Sequence, residues 1–274
     1  MNTAPTVPAI TATLDGPDGT LHYELRGTGP LLMLAAAPMD AAVFEPVADL
    51  LAADFTVLTS DPRGINRSKL HDPQQESTPQ LRADDLSRLL AHVDAGPAAV
   101  LGTSGGACSV LALAQAHPEQ LHTVLAHEPA FYALLDDREQ HRAVVEDMIA
   151  RYAADDVAGA WQRFLSNANI QVTDEVLAMI VPAEPEPQAA ADNRYGFLRM
   201  LRATTSWEPD LDVLRSGPRV VVGVGADSGG ELCERISHTI ATALGSYAVV
   251  FPGGHLGFLD DPRGFAATLR GVLS

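Results

Sequence analysis

The chain has 274 residues, 46% hydrophobic and 19% charged, which is the composition of a folded soluble protein with room for one large α/β domain or two small ones. Its 35 acidic residues against 18 basic ones leave a net charge of −17, so nucleic acid and anionic membrane surfaces are excluded as partners by repulsion. Two cysteines, Cys108 and Cys233, exclude a disulfide framework and fit a reducing compartment.

The N-terminus has no basic segment followed by an apolar one, and no run is long enough to span a membrane; a cytoplasmic protein is expected. Ile10 to Leu14 alternates and stops at the turn Asp15-Gly16-Pro17-Asp18-Gly19. Leu21 to Arg26 alternates again, so the two read as an antiparallel hairpin. Leu31 to Ala35 is a continuous apolar run, suited to a strand covered on both faces. Asp40 can cap the next helix, whose buried face carries Phe44, Val47, Leu50 and Leu51. Phe55 to Ser60 reads as a strand that runs into the loop Asp61-Pro62-Arg63-Gly64. Leu86, Leu89, Leu90 and Val93 mark another helix.

The apolar run Ala98 to Leu101 then stops at Gly102-Thr103-Ser104-Gly105-Gly106, and Ser109 to Ala114 reads as a helix. A strand turning sharply into a helix at G-x-S-x-G is a nucleophile elbow. Its strained corner lifts the Ser104 hydroxyl off the sheet, and its glycines let strand and helix approach. Further strands are expected at Thr123 to His127, Arg219 to Val224 and Ala248 to Phe251, and helices at Cys233 to Leu244 and Phe265 to Val272. Strands alternating with helices predict an α/β fold with a mostly parallel sheet, helices on both faces and the functional loops at the strands' carboxyl ends. From about Phe131 to Pro209 the strand pattern lapses. Three helices are expected there, with a Pro-rich break at Pro182 to Pro187. Residues 131–207 therefore read as a helical lid on a core of 1–130 and 208–274.

A serine hydroxyl needs a base, and the base needs an orienting acid. His255 follows the two-glycine turn after the last strand and is the preferred base; His127 is its rival. Asp227, at the end of the penultimate strand, is the preferred acid. Glu128, after the strand that follows the elbow, is the alternative. An oxyanion would take backbone N–H groups from Gly105 and from Ala37, with Met39 a second choice. Cys108, on the helix behind Ser104, reads as a small core residue. The sequence has no metal-ligand spacing and no dinucleotide-binding glycine pattern, so no cofactor and no metal is expected.

These motifs resemble the α/β-hydrolase fold superfamily, in its lid-bearing branch of esterases, lactonases, cofactor-free haloperoxidases and C–C bond hydrolases. The likeness rests on Gly102 to Gly106, on Gly253-Gly254-His255, and on Asp61-Pro62-Arg63-Gly64-Ile65-Asn66-Arg67-Ser68, similar to a D-x-R-G-x-G-x-S loop. It implies an eight-stranded sheet, Ser104 as nucleophile, His255 as base, Asp227 as acid in most branches, and an oxyanion hole at Ala37 and Gly105. Zearalenone-type lactone hydrolases instead place a Glu where Glu128 stands. Two departures are Ala35-Ala36 in place of the usual His-Gly and Asn66 in place of Gly; Arg63 is expected to support loops. The expected activity is hydrolysis of a small-molecule ester, thioester or lactone. Met39, Trp161, Tyr195 and Trp207 are expected around the substrate. The alternatives are C–C cleavage, peracid-forming chemistry, or a non-catalytic small-molecule receptor.

Overall fold

The computed structural model describes residues 8–171, 173–182 and 184–274. Residues 1–7 and Ala183 of the expected Pro-rich break lie outside them. Strands β1 (Ile10–Gly16) and β2 (Gly19–Arg26) form the expected hairpin, with Leu14 opposite Leu21. β3 (Leu31–Ala35) is buried along its whole length, as its unbroken apolar run predicts. Asp40 accepts the Ala42 N–H at 3.0 Å and starts a 3₁₀ turn over Ala41–Phe44, which runs into α1 (Glu45–Leu51). After β4 (Thr56–Ser60) come the two-residue β5 (Lys69–Leu70), α2 (Pro79–Val93), β6 (Ala98–Thr103), α3 (Gly105–Ala116) and β7 (Leu121–His127).

Between β7 and β8 (Arg219–Gly225) the described residues form no strand. They form α4 (Arg138–Ala153), α5 (Val157–Ala168), α6 (Asp174–Ile180), α7 (Pro187–Tyr195), a π-helical stretch Gly196–Met200, α8 (Leu201–Thr205) and α9 (Leu211–Ser216). Then follow α10 (Leu232–Ala243), β9 (Val249–Phe251), α11 (Gly257–Asp260) and α12 (Pro262–Leu273). Helices α6, α9 and α11 and strand β5 are too short to leave a periodic signature, and the sequence reading did not contain them.

The sheet order is β1-β2-β4-β3-β6-β7-β8-β9, with β5 paired to β2. The ninth strand, beyond the expected eight, is thus β5. From β4 to β9 every neighbouring pair is parallel. Alternate residues of each strand face opposite sides. Met33, Val100 and Val222 pack beneath α2, α3 and α10, whereas Leu32, Leu34 and Leu101 pack against α1 and α12 through Val47 and Phe265. Full burial of each Leu or Phe contributes about 1.5–3 kcal/mol, so a one-residue slip in any central strand is strongly disfavoured. That register fixes where each strand ends. The residues following β6, β7, β8 and β9 therefore meet along one edge of the sheet.

Candidate active site

Ser104 sits between β6 and α3 with φ 55° and ψ −122°, a backbone region that a residue with a side chain rarely adopts. Such a conformation costs about 1–3 kcal/mol and persists only where the surroundings impose it. Here they do. A Cβ at Gly102 would collide with the Gly106 carbonyl, and one at Gly106 with the Ala35 carbonyl. Only glycine at both positions lets α3 close down on β6 and β3. The Ser104 N–H bonds the His127 carbonyl at 3.0 Å, which ties the corner to β7.

His255 follows β9 through the Pro252-Gly253-Gly254 turn, where Gly253 has φ 77°. Its Nδ1 lies 2.6 Å from Oε2 of Glu128. Glu128 is fully buried and is itself held at a positive φ of 48°. Its other oxygen, Oε1, accepts the Gly225 N–H at 2.7 Å, so the carboxylate lies across the end of β8. Burial alone would raise the pKa of Glu128. The hydrogen bond and charge of His255 outweigh it and bring the value down to about 2. The carboxylate on the imidazole is thus Glu128, the alternative choice from sequence. Asp227, the preferred one, lies two residues beyond β8 and is exposed. Its N–H bonds the Gly253 carbonyl, and its side chain makes no hydrogen bond to His255.

His127, the rival base, points into the protein. It is fully buried between Phe251 and Phe265, with Nδ1 3.3 Å from Thr103 Oγ1. Burial lowers its pKa to about 4, so it stands neutral. Cys108 is a buried residue of α3, and its thiol is pushed up to about 11 by burial, which makes it inert. Arg63 is buried in a bidentate pair with Asp85 at 2.6 and 2.8 Å, the loop-supporting place expected of it. Asn66, at φ 45°, bonds Asp40 through its side chain and Asp192 through its N–H, linking the loop before α1 to α7.

Ser104, Gly105, Glu128, His255, Ala37 and Met39 all line one cavity of about 260 Å³. Ser104 and His255 therefore open onto the same space, although no hydrogen bond joins their side chains. Such bonds often tighten only once substrate is bound. Gly105 packs against Ala37, since a Cβ on it would lie 2.7 Å from the Ala37 carbonyl oxygen. The two backbones are thus adjacent beside the serine.

A family model described as alpha/beta hydrolase fold matches residues 29–169. A hydrolase of Bacillus subtilis (strain 168), named YraK and described as uncharacterized, is 31% identical over 265 residues, covering 95% of each chain. The chain belongs to the α/β-hydrolase fold family. Zearalenone hydrolase of Bionectria ochroleuca is 28% identical over 268 residues, covering 93% of this chain and 94% of that one. Among solved structures, Est816, described as an N-acyl homoserine lactone degrading enzyme, shares the fold with a TM-score of 0.70. It is 20% identical and covers 95% of this chain and 99% of that one.

In this α/β hydrolase the cavity wall is mostly apolar, and the four expected pocket residues divide. Met39 and Trp161 line it. Tyr195 and Trp207 do not. Tyr195 is buried against Ala37, Ile65 and Met200 and donates its hydroxyl to the Gln75 carbonyl. Trp207 packs edge-on against Phe131 in the core beneath the sheet. The sequence reading missed Tyr132, Asn167, Met200, Leu232, Cys233 and Ile236, all of which face the cavity. For Leu232, Cys233 and Ile236 a signal existed. Residues 232, 233 and 236 share one helical face, and α10 begins just past the end of β8. Among the described residues one set of side chains also has metal-ligand spacing: Glu128, Cys233 and His255. It comes from the end of β7, the first turn of α10 and the loop after β9, so no linear spacing announces it.

Proposed function

We propose that this α/β hydrolase is a serine hydrolase that cleaves an apolar small-molecule ester or lactone through an acyl-enzyme. In this reading Ser104 is the nucleophile, His255 the general base and Glu128 the acid that orients it. The observation that carries it is the 2.6 Å bond from His255 Nδ1 to the buried Glu128, beside a serine held at an elbow and opening onto the same cavity.

The chemistry follows from the parts. Glu128 accepts a hydrogen bond from Nδ1–H, which holds the imidazole proton on Nδ1 and leaves Nε2 unprotonated and able to take the Ser104 proton as Oγ attacks the substrate carbonyl carbon. The negative oxygen formed there is held by the backbone N–H groups of Gly105 and Ala37. His255 then gives its proton to the departing alkoxide, and the C–O bond breaks. Water, deprotonated by His255, attacks the acyl-enzyme, and Ser104 leaves with the proton. A buried Glu128 carboxylate held ionised stabilises the imidazolium that appears twice in the cycle.

Residues 131–207 act in this reading as a lid over the core of 1–130 and 208–274. Its support is that Trp161, Phe164, Phe197 and Met200, all between β7 and β8, wall the cavity opposite the strand ends. The π-helical stretch contributes Gly196, Phe197 and Met200 to that wall. The apolar wall favours a hydrophobic substrate, and the relative named zearalenone hydrolase supports a lactone among the candidates. The test is turnover of p-nitrophenyl esters of increasing chain length and of zearalenone. Wild type turns over at least one of these, and Ser104→Ala lowers kcat by about 10⁴-fold. An unchanged rate in that variant overturns the reading.

A further inference from the structure

Cys233 opens α10, half-buried, with its Sγ 3.4 Å from a carboxylate oxygen of Glu231. Its sulfur, a carboxylate oxygen of Glu128 and a ring nitrogen of His255 lie within 4.8 Å of one another. All three residues line the cavity and can be reached from it, and no lysine or arginine is among the residues that line that cavity. Nothing in the proposed hydrolytic cycle uses the thiol. We infer that Glu128, Cys233 and His255 form a site for a thiophilic divalent cation, of which Zn²⁺ is the type, and that its occupation switches the serine site off.

The donor set selects the ion. One sulfur, one imidazole nitrogen and one carboxylate oxygen suit zinc, whereas magnesium and calcium take oxygen ligands. Tetrahedral zinc, with bonds of about 2.0–2.3 Å, holds its ligand atoms about 3.3–3.8 Å apart. The His255–Glu128 contact must open from 2.6 Å to that spacing, and the thiol must close in. Both movements require side-chain rotation, with Glu128 turning about its bond to the Gly225 N–H. The carboxylates of Glu128 and Glu231 beside the thiol favour a cation there. An ordinary thiol is mostly protonated at neutral pH, and a bound metal takes the place of that proton.

The consequence for turnover is a matter of proton position. A metal on Nδ1, the nitrogen that faces Glu128, moves the imidazole proton to Nε2. Binding releases the thiol proton to solvent, and the metal–sulfur bond replaces the S–H bond. Nε2, now carrying a proton, cannot accept the one on Ser104. The cation also takes Glu128 away from the imidazole. This inhibition rests on the hydrolase reading; the binding does not.

Cobalt(II), a spectroscopic stand-in for zinc, is titrated into the whole protein and into Cys233→Ala and Cys233→Ser. In parallel, Zn²⁺ inhibition of ester turnover is measured against each protein's own uninhibited rate. The inference predicts a thiolate-to-cobalt charge-transfer band in wild type that both variants lack. It also predicts a half-inhibiting Zn²⁺ concentration about tenfold or more higher in the variants. If the alanine variant does not fold, the serine variant decides. A wild type without the band, or a band and an inhibition unchanged in both variants, overturns the site. A band in a protein that turns over no ester upholds the site and counts against the hydrolase reading alone.

Discussion

His255 Nδ1 and Glu128 Oε2 lie 2.6 Å apart, joining a loop after the last strand to the end of a strand 127 residues earlier in the chain. Glu128 reaches that place because its backbone turns through φ 48° directly after β7, and its second oxygen is fixed by the Gly225 N–H. Asp227 continues past β8 into solvent instead.

Replacing the two acids separates them. Glu128→Gln keeps the shape but leaves the imidazole without its carboxylate, and kcat should fall by about 10³–10⁴-fold. Asp227→Asn should leave kcat within about twofold, as for an exposed substitution. Steady-state kinetics on one ester checks both.

Legibility from sequence follows the range of the signal. Local patterns were enough for β3, for the elbow at Ser104 and for His255 after its glycines. The choice of acid was not local. Asp227 and Glu128 both follow parallel strands that end at one edge, and only the positive φ of Glu128 aims its carboxylate at His255. Tyr195 and Trp207 failed as pocket residues for a similar reason. Aromatic character shows that a side chain is buried, and tertiary packing decides which cavity it faces. Sequence had placed Cys233 on a helix face, and the fold then set that face against Glu128.

His127 sets a pH dependence of stability. Its pKa falls from the ordinary 6.5 to about 4 on burial, so between those values the unfolded chain binds the proton and the folded one does not. Its contribution is fully present above pH 6.5 and is lost as pH falls toward 4. Between pH 7.5 and 5 it should remove about 2 kcal/mol of stability. Urea denaturation at both pH values checks this, and the loss should shrink by that amount in His127→Gln.

Gly106→Ala should destabilise the fold by about 3 kcal/mol or more, because the new Cβ would meet the carbonyl of Ala35 and α3 cannot withdraw without dismantling the elbow. Thermal unfolding reads the effect. A Tm equal to that of wild type would show that β3, β6 and α3 are not packed this closely.

Ile236→Trp should fill part of the cavity from the α10 side. The kcat/KM for a bulky ester should fall about tenfold or more, while that for an acetate ester changes little. Parallel loss on both esters would place the substrate elsewhere.

The most direct measurement is mass spectrometry of the protein after treatment with a fluorophosphonate, which reacts with a serine only when a base activates it. The account predicts a single adduct on Ser104, formed in wild type and in Asp227→Asn but strongly slowed in His255→Ala and Glu128→Gln. Absence of labelling at Ser104, or labelling as fast without the imidazole as with it, would contradict it.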